Sequence, residues 1–279
     1  MSLGGTAKTP DLAASDLAAV ARILRDAALR EILPRFRQLA ASDIREKGPG
    51  DLVTVADEAA EIAIAPRLLA LLPGSIVVGE EAAAADPTLL DHLSGDEAVW
   101  VIDPIDGTAN FASGVPVFAV MGALIRGDKM VASWIHDPIS GKTAIAAAGS
   151  GVKIDGGALA PNPESGRRGV LSTNFHGRPE LRRQVEARRG TIDRQKSLRC
   201  AGHEYLRLAR GELDFLLYSK LMPWDHAPGI LMVQELGGQA NYIEGGIYKP
   251  SRAEGPSGLL IARSKEIWDD VHHRLFGPN

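Results

Sequence analysis

Two aspartates near the middle of the chain stand at the end of an apolar run, where they could bind a divalent cation. The run Ala98 to Ile102 predicts a buried strand that stops at Asp103. Pro104 cannot continue a central strand, so the chain must turn. The carboxylates of Asp103 and Asp106 can then point into one space, with the Ile105 carbonyl between them. Mg²⁺ prefers such oxygen ligands, although Asp, Pro and Gly are also ordinary turn residues.

The two residues after this turn suit an anion. Gly107 has no side chain, so backbone N–H groups can approach a ligand closely. If Thr108 opens a helix, the N-terminus of that helix can bind phosphate. A cation site beside a phosphate site predicts phosphoryl chemistry, in which positioning and electrostatics dominate.

Three further acidic residues stand at predicted boundaries of secondary structure. Glu80 lies in the Gly-Glu-Glu segment after a short predicted strand, Asp57 at the start of a predicted helix, and Asp225 just before another. Each has an ordinary interpretation when taken alone. A Glu pair in a loop is usually solvated, and an Asp at a helix start is usually an N-cap. Their chemical interpretation therefore depends on the segments around them.

Together these segments resemble those of the inositol monophosphatase family. The run Trp100 to Phe111 is similar to the first signature of the family, and Trp224 to Gly238 is similar to the second. Gly79 to Glu81 resembles its Gly-Glu-Glu, and Asp51 to Asp57 resembles its Asp-Leu-Val-Thr-x-x-Asp. The order and spacing of the two signatures also match those of the family.

The resemblance implies a set of site residues. The implied metal ligands are Glu80, Asp103, the Ile105 carbonyl, Asp106, Asp225 and, through water, Asp57. The implied catalytic residues, which orient the attacking water and accept its proton, are Glu80, Thr108 and Asp57. The implied phosphate and substrate contacts are Asp106, Gly107, Thr108, Ala201, Tyr218 and Asp225. The resemblance also implies two or three Mg²⁺ ions, which Mn²⁺ can replace, and inhibition by Li⁺. Carboxylates this close would repel one another into protonation without cations.

The implied reaction is hydrolysis of a small phosphate monoester by direct attack of a metal-activated water. Inositol 1-phosphate or a related sugar or polyol phosphate is the implied substrate. Tyr218 stands where many members have a Glu that binds a ring hydroxyl, although a Tyr can still donate a hydrogen bond. The substrate-side Gly-Ser-Ala turn of the family is matched loosely by Cys200 to Gly202, which gives the Ala201 contact. Lys47 lies one residue out of register with a family lysine and receives no role.

Other functions stay open from the sequence. The substrate could be that of another subfamily, namely histidinol phosphate, fructose bisphosphate or a nucleoside 3′,5′-bisphosphate. The chain could also act mainly by binding RNA or transcription components, because the segment from Arg167 to Arg199 contains ten Lys or Arg residues and three acidic residues. A solvated helical face explains the same segment. Cys200, Ser172, His136 and His226 are interpreted as structural, since the histidines lack zinc-ligand spacing.

Composition favours an ordinary globular enzyme. The chain has 279 residues, 45% of them hydrophobic and 24% charged, with a net charge of −4 and one cysteine. No apolar run is long enough to cross a membrane, and the charge does not favour nucleic acid. We therefore expect a cytoplasmic protein with no membrane and no nucleic-acid partner, and the resemblance implies a homodimer.

The elements that must position these residues fall into two halves. A long helix is predicted from Asp11 to Leu39, and strands Phe118 to Ile125 and Met130 to His136 form a hairpin. The predicted halves are residues 1–152, with helices on an antiparallel sheet and most of the metal ligands, and residues 153–279, an α/β half with Asp225 and substrate contacts. The fold class is thus α+β or α/β, and the resemblance implies a layered αβαβα sandwich.

Overall fold

The computed structural model describes residues 13–161, 166–171, 175, 178–253 and 257–278. The α-helices of these residues are α1 (Ala14–Ala27), α2 (Val55–Leu71), α3 (Glu80–Ala85), α4 (Thr108–Ala112), α5 (Pro179–Arg188), α6 (Ala201–Ala209), α7 (Pro223–Glu235) and α8 (Lys265–Phe276). Short 3₁₀ turns lie at Ala41–Asp43, Pro87–Ser94 and Arg189–Thr191. Among the described residues, none of the helices combines the length and the apolar character that a membrane crossing requires.

The strands form a hairpin and two larger sheets. The hairpin consists of β1 (Ile44–Gly48) and β2 (Asp51–Thr54). The larger sheet follows chain order through β3 (Ile76–Gly79), β4 (Ala98–Asp106), β5 (Ala119–Arg126), β6 (Lys129–Asp137), β7 (Lys142–Ala147), β8 (Val152–Ile154) and β9 (Gly157–Ala158). The smaller sheet contains β10 (Arg168–Leu171), β11 (Asp193–Gln195), β12 (Phe215–Tyr218), β13 (Gln239–Tyr242) and β14 (Leu259–Ala262), in the order β11-β10-β12-β14-β13.

Helices α1 and α2 cover one face of the larger sheet. Val20, Leu24 and Ala28 recur at intervals of four residues and are buried, which is the spacing of an amphipathic helix. Their partners in the sheet include Trp100 and Trp134, both fully buried. This apolar contact forms the first two layers of the sandwich.

Helices α6 and α7 fill the space between the two sheets. Tyr205 of α6 and Ile230 of α7 share one core with Val101 of the larger sheet and with Leu216 of the smaller sheet. Helices α5 and α8 cover the outer face of the smaller sheet, where Trp268 is buried. The layers are therefore α1 and α2, the larger sheet, α6 and α7, the smaller sheet, and α5 and α8, which confirms the αβαβα sandwich.

Three elements differ from prediction. Strand β4 does not stop at Asp103, because a bulge lets it continue past Pro104 to Asp106. The first helix does not extend to Leu39: beyond α1 it continues through a π turn and a 3₁₀ turn to Arg35, and Phe36 is extended. Pro34 lies in that last turn and has no N–H to continue the helix. The larger sheet is antiparallel from β4 to β9, but its edge strand β3 pairs parallel with β4. The division at residue 152 stays a prediction, and Ser172 lies outside the described residues.

Candidate active site

Strand β4 ends in a β-bulge that turns two aspartates to the same face. Asp103 pairs with Met121 and Asp106 with Ala119 of β5, so three steps along β4 correspond to two along β5. Residues three apart in a regular strand point to opposite faces, and the extra residue after Pro104 reverses this. Because Met121 and Ala119 belong to the core between the two sheets, both carboxylates face that side.

Gly107 makes the next turn in the left-handed region, at φ 90°. A Cβ atom there would lie 3.1 Å from the Val117 carbonyl oxygen and 3.3 Å from the Arg199 carbonyl oxygen. Both the backbone angle and this close approach require glycine. Helix α4 begins at Thr108, as predicted, and the first N–H groups of a helix have no partner within it. They are donors that an anion can use.

Asp57 is fully buried and is held by two threonines. Its Oδ2 atom accepts hydrogen bonds from the backbone N–H (2.8 Å) and the hydroxyl (2.6 Å) of Thr54. The Thr108 hydroxyl oxygen lies 3.0 Å from Asp57 Oδ1 and 2.9 Å from the Ile105 carbonyl oxygen. One hydroxyl proton serves only one of these acceptors at a time. Burial raises the pKa of Asp57 to about 6, against the effect of these hydrogen bonds.

Glu80 is the first residue of α3, and Glu61 of α2 fixes that helix N-terminus. The Glu61 carboxylate accepts hydrogen bonds from two backbone N–H groups of α3, each at 2.9 Å. Lys47 of β1 donates from Nζ to Glu80 Oε1 at 2.8 Å and to Glu81 Oε1 at 3.0 Å. Burial raises the pKa of Glu80 to about 8; Lys47 opposes this increase and the Asp225 charge adds to it.

Asp225 approaches from the first turn of α7, in the other half of the chain. Burial raises the pKa of Asp225 to about 6, against the charge of Lys220 and a hydrogen bond to Asp103. Asp103 itself is 1% exposed, and its Oδ1 atom has no hydrogen-bond partner. Burial and the neighbouring carboxylates, Glu80 first among them, raise the pKa of Asp103 well above its usual range.

These groups surround a cavity of about 170 Å³. Its lining includes Glu80, Asp103, Ile105, Asp106, Gly107, Thr108 and Asp225. Asp57 stands behind Thr108. The ligand type fits a hard divalent cation, because every donor is oxygen and one buried carboxylate oxygen has no partner. The carboxylates do not form a closed coordination shell. Within the described ranges, no three acidic, His or Cys side chains surround one point in metal-ligand geometry, and Lys47 and Thr54 engage two of the carboxylates.

Asp106 also joins the two halves of the chain. Its carboxylate accepts hydrogen bonds from the backbone N–H groups of Ala201 (3.1 Å) and Gly202 (2.6 Å), at the N-terminus of α6. The Cys200 thiol donates to the same carboxylate at 3.0 Å. Burial, with the Asp106 charge second, raises the pKa of the Cys200 thiol. The thiol is therefore a neutral packing group, in agreement with its structural interpretation.

A second cavity of about 190 Å³ adjoins the first. Its walls include Ala201, Glu204 and Tyr218. The Tyr218 hydroxyl donates to Glu204 Oε2 at 2.5 Å, and Glu204 Oε1 accepts from the Ser197 hydroxyl (2.8 Å) and the Leu198 N–H (2.7 Å). Tyr218 thus has its hydroxyl proton engaged by a buried carboxylate. The sequence analysis expected this hydroxyl to be able to donate to the substrate, but in the structure it donates to Glu204.

The two histidines considered as metal ligands are engaged elsewhere. His226 places Nε2 2.7 Å from the Lys220 carbonyl oxygen and Nδ1 3.1 Å from the Tyr205 hydroxyl. His136 Nδ1 lies 2.9 Å from the Thr143 hydroxyl. Burial lowers the pKa of each ring to about 4. Both are neutral hydrogen-bonding groups of the core at neutral pH.

Comparison with known proteins places this geometry in a family. The sequence profile of the inositol monophosphatase family matches residues 13–276. The chain belongs to the inositol monophosphatase family. It is 34% identical to inositol monophosphatase 2 of Solanum lycopersicum over 203 residues, which cover 70% of this chain and 76% of that protein. It is 31% identical to the Nus factor SuhB of Pseudomonas aeruginosa over 222 residues, which cover 77% of this chain and 80% of that protein.

A solved structure gives the same fold. The crystal structure of inositol monophosphatase-II from Staphylococcus aureus aligns with a TM-score of 0.77 at 24% identity, and the alignment covers 94% of each chain. The layered arrangement is therefore that of other inositol monophosphatases.

Three polar residues of this family member's site received no role from the sequence. They are Lys47, Glu61 and Glu204. Glu61 lies one helical turn after Asp57, which was a usable signal, because residues four apart share a helix face. Lys47 and Glu204 reach their partners across 33 and 14 residues of chain, to Glu80 and Tyr218. No local pattern predicts such contacts.

Half of the basic residues in the segment from Arg167 to Arg199 are ion-paired within the described part of the chain. Five of its ten basic residues bind carboxylates within 4 Å, namely Arg167, Arg168, Arg183, Arg189 and Arg194. This pairing favours the solvated-face interpretation. The name of the relative from Pseudomonas aeruginosa, a Nus factor, gives no support to the expectation that nucleic acid is excluded as a partner.

Proposed function

We propose that this family member is a Mg²⁺-dependent phosphatase of a small phosphate monoester. The observation that carries the proposal is the unpartnered Oδ1 atom of Asp103 among buried carboxylates. An ionised carboxylate is costly to bury without a partner, and a divalent cation supplies one. The groups that would hold two or three Mg²⁺ ions, or Mn²⁺ in their place, are Asp57, Glu80, Asp103, the Ile105 carbonyl, Asp106 and Asp225.

When bound, Mg²⁺ stabilises charge on the transferring phosphoryl group and lowers the pKa of the attacking water. The residues of the chain position the phosphate. Gly107 and the first N–H groups of α4 hold phosphate oxygens beside Asp106. The bulge in β4 keeps this turn rigid, because Asp103 and Asp106 are both paired with β5. Positioning of this kind accounts for much of the acceleration in phosphoryl transfer.

Thr108, Asp57 and Glu80 act on the attacking water. The Thr108 hydroxyl donates to Asp57, so its lone pairs accept a hydrogen bond from the water. Asp57 Oδ1 lies 3.0 Å from the Thr108 hydroxyl oxygen, so Asp57 is positioned to accept the water proton through Thr108. Glu80 also lines the cavity and pairs with Lys47 in this structure; with a cation bound there, its carboxylate would orient the water.

The substrate we propose is inositol 1-phosphate or a related sugar or polyol phosphate. Family membership and the name of the Solanum lycopersicum relative support it. The second cavity, with Ala201 and Tyr218 in its walls, adjoins the phosphate turn and would take the organic part of the ester. The homodimer and the cytoplasmic location remain predictions.

A panel of phosphate monoesters with Mg²⁺ tests the proposal. We expect turnover of at least one sugar or polyol phosphate, its loss in excess EDTA, and inhibition by Li⁺. The panel should include histidinol phosphate, fructose 1,6-bisphosphate and a nucleoside 3′,5′-bisphosphate. Asp225→Asn should abolish turnover with little loss of thermal stability, because relief of carboxylate repulsion offsets the lost contact.

The matched control is Asp96→Asn, which removes one carboxylate from an exposed residue outside both cavities. We expect it to keep the wild-type rate. Full turnover in EDTA, or near-normal kcat for Asp225→Asn at saturating Mg²⁺, contradicts the proposal.

A further inference from the structure

Two basic side chains lie at the junction of the two cavities. Arg199 and Lys220 line both the carboxylate cavity and the cavity beside Tyr218, together with Asp106 and Asp225. A monoester whose phosphate lies at the Gly107 turn must extend past this junction. The part of the substrate that leaves the first cavity therefore meets positive charge.

The backbone of Arg199 is held in an unfavourable conformation. Its φ is 56°, in the left-handed region that side chains with a Cβ rarely adopt. Its N–H donates to the Ser197 hydroxyl at 3.0 Å, and the Asn110 side chain donates to the Leu198 carbonyl at 2.9 Å. Such conformations persist where surrounding contacts enforce them, and they concentrate at ligand-binding positions.

A buried carboxylate fixes this turn. Glu204 is 1% exposed and accepts from both the Ser197 hydroxyl and the Leu198 N–H, the two residues before Arg199. Its other oxygen accepts from Tyr218. Glu204 is thus a positioning residue, whose hydrogen bonds place the Arg199 side chain rather than bind substrate.

The charged groups of both basic side chains are accessible to a ligand. Within the described residues the exposed Arg199 guanidinium has no carboxylate partner, unlike five other basic residues of the same segment. Lys220 has one solvent-exposed partner, Asp51, at 3.3 Å, and such a pair is weak. The planar fork of an arginine matches carboxylate and phosphate oxygens.

We propose that Arg199 and Lys220 bind a second anionic group of the substrate, a phosphate or a carboxylate. The proposal rests on the phosphatase function and narrows its substrate class. The Tyr218 hydroxyl already donates its proton to Glu204, so Tyr218 does not donate to a substrate oxygen, whereas Arg199 and Lys220 supply donors at the junction. An ester with a second anion gains charge-assisted hydrogen bonds at the junction.

Matched substrate pairs test the proposal. The phosphate arm compares kcat/KM for fructose 1,6-bisphosphate and fructose 1-phosphate; the carboxylate arm compares 2-phosphoglycerate and glycerol 2-phosphate. In one of the two pairs, we expect the member with the second anionic group to be preferred by roughly tenfold to hundredfold. This is the effect of one or two charged hydrogen bonds. The preference should fall with added salt, and the arm that shows it identifies the anion.

Arg199→Gly is the decisive variant, because glycine adopts the left-handed turn without strain while the charge is lost. We expect the preference to fall at least tenfold, and Arg199→Lys to restore part of it. Lys196→Gln is the control: it removes one charge from an exposed residue of the same segment that lines neither cavity, and the preference should persist.

Equal kcat/KM within both pairs overturns the proposal. So does an equal loss for both members of a pair in Arg199→Gly, which would assign Arg199 to the scissile phosphate. If no ester is hydrolysed, the phosphatase function fails, and equilibrium binding of the same pairs decides this inference alone. Arg199→Gly must then weaken binding of the member with the second anion about tenfold more than that of its partner.

Discussion

Removing divalent cations should make the stability of this protein fall as the pH rises above neutrality. Glu80 drives the effect, because burial raises its pKa to about 8 in the folded chain. An unfolded Glu has lost its proton by about pH 6. Between these values the folded state binds more protons than the unfolded state, so the free energy of unfolding decreases with pH.

Two histidines limit the pH window. The pKa values of His136 and His226 fall to about 4 through burial. The unfolded state therefore binds more protons than the folded state up to about pH 6.5, and this makes stability rise with pH in that range. Below about pH 6.5 the histidines and the carboxylates therefore change the free energy of unfolding in opposite directions. Above that pH the histidines contribute little to its pH dependence.

The pH range in which the histidines do not oppose the effect of Glu80 thus runs from about pH 6.5 to the Glu80 pKa of about 8. At roughly 1.4 kcal/mol per pH unit and per proton, the chelated protein should lose about 2 kcal/mol of unfolding free energy over it. For a chain of this size that corresponds to a Tm decrease of about 3 °C. Bound Mg²⁺ should remove the dependence, because it keeps the carboxylates ionised in the folded state.

Thermal unfolding in EDTA and in Mg²⁺ at several pH values from 6.5 to 8 measures this. Glu80→Gln should make the decrease in EDTA smaller, and the part that remains is assigned to Asp103, whose pKa is also raised by burial. Glu97→Gln, a change at an exposed residue outside the cluster, should keep it. A Tm in EDTA that stays constant or rises across the window would refute the reasoning, since Glu80 would then be ionised in the folded chain.

Three further outcomes are expected. Gly107→Ala should lower stability by about 1–3 kcal/mol and abolish turnover, because its Cβ meets the Val117 carbonyl at 3.1 Å in a left-handed turn; a Tm series and a rate assay measure both. Thr108→Val should lower kcat by roughly 10²-fold or more, the scale of proton-transfer catalysis, with little change in KM, because the link from water to Asp57 is lost; a near-normal kcat contradicts that role. Arg199→Gly should raise the stability by about 1 kcal/mol through relief of backbone strain, and a lower Tm would contradict this.

The motif around β4 shows how far a sequence pattern reaches. Pro104 after an apolar run predicted that Asp103 and Asp106 lie on one side, and the bulge produces that arrangement, although the strand continues past Pro104 to Asp106 instead of stopping at Asp103. Thr108 was expected to open a helix and does so. These features are local, because a proline, a glycine and strand periodicity determine them over a few residues.

The contacts that tune the site were not predictable in the same way. Lys47 pairs with Glu80 only because the β1–β2 hairpin lies beside α3. Tyr218 meets Glu204 because α6 and β12 converge at the second cavity. Each contact depends on how separate elements pack, and packing is decided by the whole core rather than by spacing along the chain.

Asp106 explains why the two cavities must be considered together. Its carboxylate caps α6 through Ala201 and Gly202, so a residue of the first cavity fixes the helix that carries Glu204. Glu204 in turn holds the turn at Arg199. A cation that draws on Asp106 therefore competes with hydrogen bonds that place the substrate wall. The geometry of that wall should depend on whether metal is bound, which is why substrate pairs must be compared at one fixed Mg²⁺ concentration.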